Sequence, residues 1–214
     1  MSVFLLMAAD REHALREAIS AAARAIELDS TDALGYALRG YCVLLDAQLD
    51  RYSEAIEDAR LAHKFNPNDM FVLGLLVWAE LAVGEHERAI EHAHQILRLS
   101  PRDSRSYDTY HMLGVANFVG KQYSEGIRWA LRAVHDKPEM FQPRFNLVNC
   151  YIGANEIYKA RAAFAAAQTI APEFVKSRLE GRSWLGRLED RKRANTFFRI
   201  AAGLEDPSAA EPLQ

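Results

Sequence analysis

The order of apolar and polar positions predicts helices in pairs. They fall near 11–28, 32–47 with 51–65, 69–83 with 86–99, 104–119 with 122–136, 140–153 with 156–170, and 173–187 with 190–203. No apolar–polar alternation of the strand type competes with this reading. The stretch DMFVLGLLVWAELAVG, Asp69 to Gly84, is apolar nearly all round, which predicts a helix covered on both sides. Its core, Met70 to Ala79, is the longest apolar run at ten residues, a length that suits a buried helix and falls short of a membrane span.

The pairs repeat. Ala18, Ala55, Ala89, Gly126, Ala160 and Ala194 are separated by 37, 34, 37, 34 and 34 residues. Pro67, Pro101, Pro138 and Pro172 each follow their small residue by 12 positions, and Ser30 holds the equivalent place after Ala18. A small side chain lets two helices approach closely, and a proline tends to stop one helix and open the next. A period of 34 with these two marks predicts a helix-turn-helix array whose units must stack to bury their apolar faces. The two steps of 37 read as three-residue insertions, one between Gly40 and Tyr52, expected to lengthen a first helix by nearly a turn, and one between Pro101 and Tyr110. Asp50, Gly84, Gly120 and Asn155 stand at the turns inside the pairs and are residue types that tolerate left-handed backbone.

These positions resemble the tetratricopeptide repeat. The unit ending at Pro172 carries Leu147, Tyr151, Ala160, Phe164 and Ala167; the one before it carries Tyr110, Leu113, Gly114, Gly126, Ala130, Ala133 and Pro138. Earlier units keep Tyr36, Gly40, Tyr52, Ala55, Ala59, Ala62 and Pro67, then Ala89, Ala93 and Pro101. The resemblance implies an all-α, right-handed superhelical solenoid of antiparallel helix pairs. About six repeats would occupy residues 1–207 as one domain, the first truncated, with a short tail at 208–214.

The same resemblance implies that the first helix of each pair lines a concave wall. Carried over by register, the wall would present Leu34, Ala37, Tyr41 and Leu44; Phe71, Gly74, Trp78 and Leu81; Asp108, His111, Val115 and Phe118; and Gln142, Phe145, Asn149 and Ile152. It is mostly apolar and aromatic, which fits an amphipathic helix or a hydrophobic peptide. Either such a partner or a segment of the chain itself should cover it. Repeats of this family that hold chaperone C-terminal carboxylates use a Lys/Asn/Arg clamp, of which only Asn149 is present, so that ligand is not expected.

Composition agrees with a folded helical chain: half of the 214 residues are hydrophobic and only 7 are proline. Cys42 and Cys150 lie 108 residues apart on different repeats, which makes a structural disulfide improbable and a reducing compartment the expectation. The opening MSVFLLMAAD has no positive residue before its apolar run and is a poor signal peptide, so the cytoplasm is expected.

No motif predicts catalysis, a cofactor or a metal. Gly114 to Lys121 has five residues between its glycines where a phosphate loop has four, and Gln122 stands where Ser or Thr would hold Mg²⁺. His92 and His94 are two positions apart, about 200° around a helix, so they cannot share a metal and read as solvated. Ser183 in GRSWLG lacks the second glycine of a nucleophile elbow.

Charge is uneven. Residues 1–110 hold 11 Lys+Arg against 18 Asp+Glu, and 111–214 hold 15 against 11, giving −7 and +4. The basic excess gathers in Lys176, Arg178, Arg182, Arg187, Arg191, Lys192 and Arg193, readable as a patch for an acidic protein or nucleic acid, or as a solvated face. The solvated face is the simpler reading, and nucleic acid is not the expected partner. MSVFLLMA can supply only the stump of a first helix, and no polar capping helix follows Phe197, Phe198 and Ile200, so a second copy or a missing portion of a longer protein could cover an end. DREHALREAI, RAIELD, LSPRDSR and FFRIAAGLEDPSAA resemble repeat modules C-terminal to bacterial class III adenylate cyclase domains and winged-helix regulators. That resemblance implies a non-catalytic regulatory or recruiting module with a protein or peptide partner.

Overall fold

The computed structural model describes residues 11–46, 51–101 and 103–210, and the expected stump of the first helix and the turn at Asp50 lie outside them. The described residues form eleven α-helices and no strand. They are α1 (Arg11–Leu28), α2 (Ala33–Asp46), α3 (Tyr52–Phe65), α4 (Met70–Val83), α5 (His86–Leu99), α6 (Ser106–Val119), α7 (Tyr123–Asp136), α8 (Gln142–Gly153), α9 (Ile157–Ile170), α10 (Pro172–Leu179) and α11 (Leu188–Ala201). Neighbours pack in sequence from α1 to α9, and the first helices of successive pairs also touch, α2 with α4, α4 with α6 and α6 with α8. The result is an all-α solenoid of antiparallel pairs. None of its helices among the described residues is long and apolar enough to cross a membrane.

The small residues sit where helices meet. Ala55, Ala89, Ala160 and Ala194 are fully buried, and a Cβ added at Gly126 would lie 2.6 Å from the Cys150 sulfur. Helix α4 is apolar on all sides because it serves two cores. Leu73, Val77 and Leu81 join Leu113 and Val148, while Val72, Leu75 and Leu76 join Ala37, Ile56 and Ala59. Each such Leu or Val contributes about 1.5–3 kcal/mol by leaving water.

The turns follow one pattern with one exception to the expectation. Gly84 (φ 85°) and Asn155 (φ 59°) end α4 and α8 in left-handed backbone, and the next N–H closes back onto the helix, Glu85 to Glu80 at 2.8 Å and Glu156 to Tyr151 at 2.7 Å. After α6 the left-handed residue is Lys121 (φ 59°), whereas Gly120 keeps φ −75°. Gly120 is small for another reason: a Cβ there would lie 2.5 Å from the His86 ring.

The sixth pair departs from the predicted 173–187 helix. Helix α10 stops at Leu179, where Gly181 takes φ 85° and the Arg182 N–H bonds the Ser177 carbonyl at 3.2 Å. Residues 180–187 then run as a strap along the inner wall, and the Gly186 N–H donates to the Ala82 carbonyl of α4 at 2.8 Å. Helix α11 does not extend the ladder as a second helix of its pair; it lies on α8, with further contacts to α9 and α10. Beyond it, Pro207–Ala209 form a 3₁₀ turn capped by Asp206, and Ala210, in the expected short tail, packs against the core.

Candidate functional site

The concave wall is divided into an open half and a sealed half. The open half is a groove of about 770 Å³ walled by α2, α4 and α6, the end of α5, and the turns before α4 and α6. Tyr41 and Phe71 meet edge to face across it, with ring centroids 5.9 Å apart. Phe71 keeps 40% of its surface exposed although it belongs to the most apolar helix of the chain. Gly74 leaves the floor open, since a Cβ there would meet only the Met112 methyl at 3.7 Å. Trp78 closes one end of the groove, its indole against His111 at 5.2 Å and against Trp184 of the strap at 5.3 Å. Leu44 is half-buried on α2 beside this wall.

The other half is filled by the chain's own C-terminal segment. Phe197 packs on Phe118 and Tyr123, and Phe198 packs on Phe145 and Phe164. Phe118, expected to be a groove anchor, is therefore 2% exposed, and Asn149 and Leu81 are equally withdrawn from solvent. Phe145 is half-buried under Phe198. With Asn149 buried, no carboxylate clamp can be built from it. Register alone could not find this cover, because the strap is invisible until α10 ends.

Arg193 locks the cover in place. Its guanidinium is buried and donates to the Phe118 and Val119 carbonyls at 3.2 and 3.0 Å and to Asp190 at 2.7 Å. Both carbonyls lie in the last turn of α6, where a cation also meets the negative end of the helix dipole, and the Phe118 carbonyl additionally accepts from the Lys121 N–H at 3.1 Å. The expected basic patch is accordingly dispersed. Arg193 is interior; Arg178 donates to the Arg182 carbonyl, and burial pulls its pKa down to about 10. Arg182 pairs with Glu180, Arg187 with Glu189, and Arg191 donates to the Leu185 carbonyl at 3.4 Å. Lys176 and Lys192 are exposed.

Titratable groups in and behind the groove wall have shifted pKa values. The His111 Nδ1 accepts from the Asn146 side-chain amide at 2.8 Å, a role only the neutral ring can play, and burial lowers its pKa to about 4. Asp108, on the first turn of α6, is half-buried, and burial raises its pKa. Behind α4, Glu80 is 1% exposed and meets the His92 ring at 3.0 Å, so His92 is half-buried and partnered and not the solvated histidine expected. Burial raises Glu80, and the Glu80 hydrogen bond raises His92. Among the described residues no cluster of three or more His, Cys, Asp or Glu could hold a metal ion.

No protein-family model matches the chain, and no curated protein matches it. Solved structures do. It is similar to PilW, a type IV pilus biogenesis factor, at 15% identity with a TM-score of 0.69, covering 92% of this chain and 90% of that one. It is similar to PilF of Pseudomonas aeruginosa at 14% identity and a TM-score of 0.63, covering 87% and 82%. It is also similar to YrrB, described as a TPR protein with an unusual peptide-binding site, at 19% identity and a TM-score of 0.54, covering 88% and 94%. At these identities the likeness establishes the architecture, a tetratricopeptide-like solenoid.

Proposed function

We propose that the chain is a non-catalytic interaction module that receives a peptide or amphipathic helix of a partner protein in the open half of its concave wall. One observation carries this reading: Phe71, beside Tyr41 and Trp78, stays exposed over a 770 Å³ groove while the rest of the same wall is closed by α11. An aromatic residue at the centre of an apolar groove is the side chain on which binding energy concentrates. Truncating such an anchor commonly costs 2 kcal/mol or more, roughly thirtyfold in affinity. Phe71→Ala should therefore reduce partner capture from a cell extract and leave the circular dichroism helical. Full retention of every captured protein by this variant would remove the groove from consideration. Trp78 is a weaker probe, since it also holds the strap.

The resemblance to cyclase-associated repeat modules implies a regulatory setting for the same groove, testable by the length and neighbourhood of the native gene. The nucleic-acid reading loses support because Arg193 is interior and Arg182 and Arg187 are paired with carboxylates. Salt-insensitive or absent DNA and RNA binding would be the expected result.

A further inference from the structure

The groove is lined by three carboxylates, and two of them are occupied. Asp69 accepts from the Phe71 and Val72 N–H groups at 2.9 and 3.0 Å as the cap of α4. Asp103 accepts from the Arg105 N–H at 2.8 Å and lies 3.5 Å from the Arg105 guanidinium. Asp108 has no side-chain hydrogen bond and no ion pair among the described residues. The nearby cation Lys137 is paired with Glu139 at 2.6 Å and sits over the Tyr107 ring. Arg105 and Lys137 act on Asp108 only from a distance, and a half-buried carboxylate without a direct ion-pair partner carries a desolvation penalty that a cation in hydrogen-bond reach would offset.

We propose that Asp108 gives the groove its specificity, selecting a partner segment in which a lysine or arginine stands among apolar residues: the apolar side chains cover Tyr41, Phe71 and Met112 while the cation pairs with Asp108. This rests on the groove reading and adds the charge of the partner to it. The occupant follows from complementarity. The groove offers one unsatisfied negative group, Arg105 is already engaged by Asp103, and the remaining lining is mostly apolar or aromatic. An acidic or purely apolar segment would leave Asp108 buried beneath it and unpaired, the costliest arrangement for a polar group at an interface.

The test uses the full chain and a random dodecapeptide display library. Selection on the wild type should enrich peptides carrying Lys or Arg flanked by apolar residues, and Phe71→Ala should lose them. For an enriched peptide, Asp108→Asn should weaken binding about ten- to a hundredfold, the value of a charge-assisted hydrogen bond. The same substitution should be silent against a peptide whose base is replaced by norleucine. Asp108→Asn keeps the side chain's shape, and an unchanged melting curve separates the binding effect from a folding one. Enrichment of apolar peptides without a base, sensitive to Phe71→Ala but not to Asp108→Asn, would overturn the charge assignment and keep the groove. Enrichment of no peptide, or of peptides indifferent to Phe71→Ala, would overturn both.

Discussion

Arg193→Met isolates what holds α11 on the inner wall. Methionine keeps much of the side-chain volume over the Phe118 ring, which the guanidinium carbon overlies at 4.9 Å, and removes the charge. Three acceptors lose this donor: the Val119 carbonyl, the Phe118 carbonyl, which keeps the Lys121 N–H, and the Asp190 carboxylate, itself 3% exposed. Breaking a buried pair by deleting one partner costs about 3–5 kcal/mol, because the remaining charge stays out of water. Two features place the loss at the lower end. Arg187 still approaches Asp190 at 3.7 Å, and the native Arg193 Nε is buried without a partner, a penalty the substitution removes. About 3 kcal/mol is a large share of the 5–15 kcal/mol typical of a folded domain. Urea unfolding followed by circular dichroism measures it, with tryptophan emission reporting the Trp78–Trp184 contact in the same samples. The double variant Arg193→Met/Asp190→Leu should recover to within about 1 kcal/mol of the native chain, since an apolar pair can replace a buried ion pair with little loss. A single variant within about 0.5 kcal/mol of native, or a double variant no better than the single, would refute the assignment of Arg193 as the lock.

Three further outcomes follow from local geometry. Ala89→Trp or Ala160→Trp should overpack a fully buried helix contact and lower stability by about 1–3 kcal/mol or more in a thermal melt, and indifference of both would defeat the 34-residue register. Gly186→Ala would set a Cβ 2.2 Å from the Ala82 carbonyl, so the strap should lift from α4 and shift tryptophan emission; an unchanged spectrum would mean the strap does not depend on this contact. The folded-state pKa of His111, about 4, lies below its unfolded value near 6.5, so its contribution is present above pH 6.5 and is lost as pH falls toward 4, by at most about 3 kcal/mol. His111→Gln should flatten the stability profile across that window, and a native profile already flat there would contradict the neutral, Asn146-bonded ring.

The solenoid was legible because its rules are local. A small residue at each helix contact and a proline after each second helix recur in phase, and the buried Ala55, Ala89 and Ala160 sit where that phase puts them. The end of α10 was also written locally, in two glycines five residues apart around Arg-Ser-Trp-Leu, but the 34-residue register masked it and favoured a continued helix. Gly120 shows the converse: its place in the turn predicts left-handed backbone, yet what its missing Cβ does is leave room for the His86 ring. The register names the apolar residues of the inner wall, whereas the wall's division into an open and a sealed half is not readable from it. Which wall residues are covered depends on where α11 lands, and that is set by contacts between residues about 75 positions apart, such as Arg193 with Phe118. The basic cluster near the C-terminus shows the same limit: Arg193 turns inward while Lys176 and Lys192 stay exposed, and proximity in sequence does not say which side chains do which.

The sealed half sets how long a bound segment can be. Helices α2, α4 and α6 contribute the open wall together with Ile96 and Leu97 at the end of α5, and Trp184 against Trp78 marks its limit on the side of the strap. Three packed helices at about 8–10 Å spacing span on the order of 20 Å, which an extended chain at about 3.3 Å per residue crosses in about six residues. Residues added to a partner peptide beyond that length meet α11 or solvent and gain no apolar contact. Affinity measured over a truncation series should therefore rise steeply to about six residues and then level off. If instead the rise continued well beyond six residues for a peptide whose circular dichroism stays non-helical on binding, the longer peptide would have to displace α11, since only a helix, at about 1.5 Å per residue, fits more residues into the same span. Phe118 would then become accessible on binding, and the wall would be one continuous groove with a removable cover.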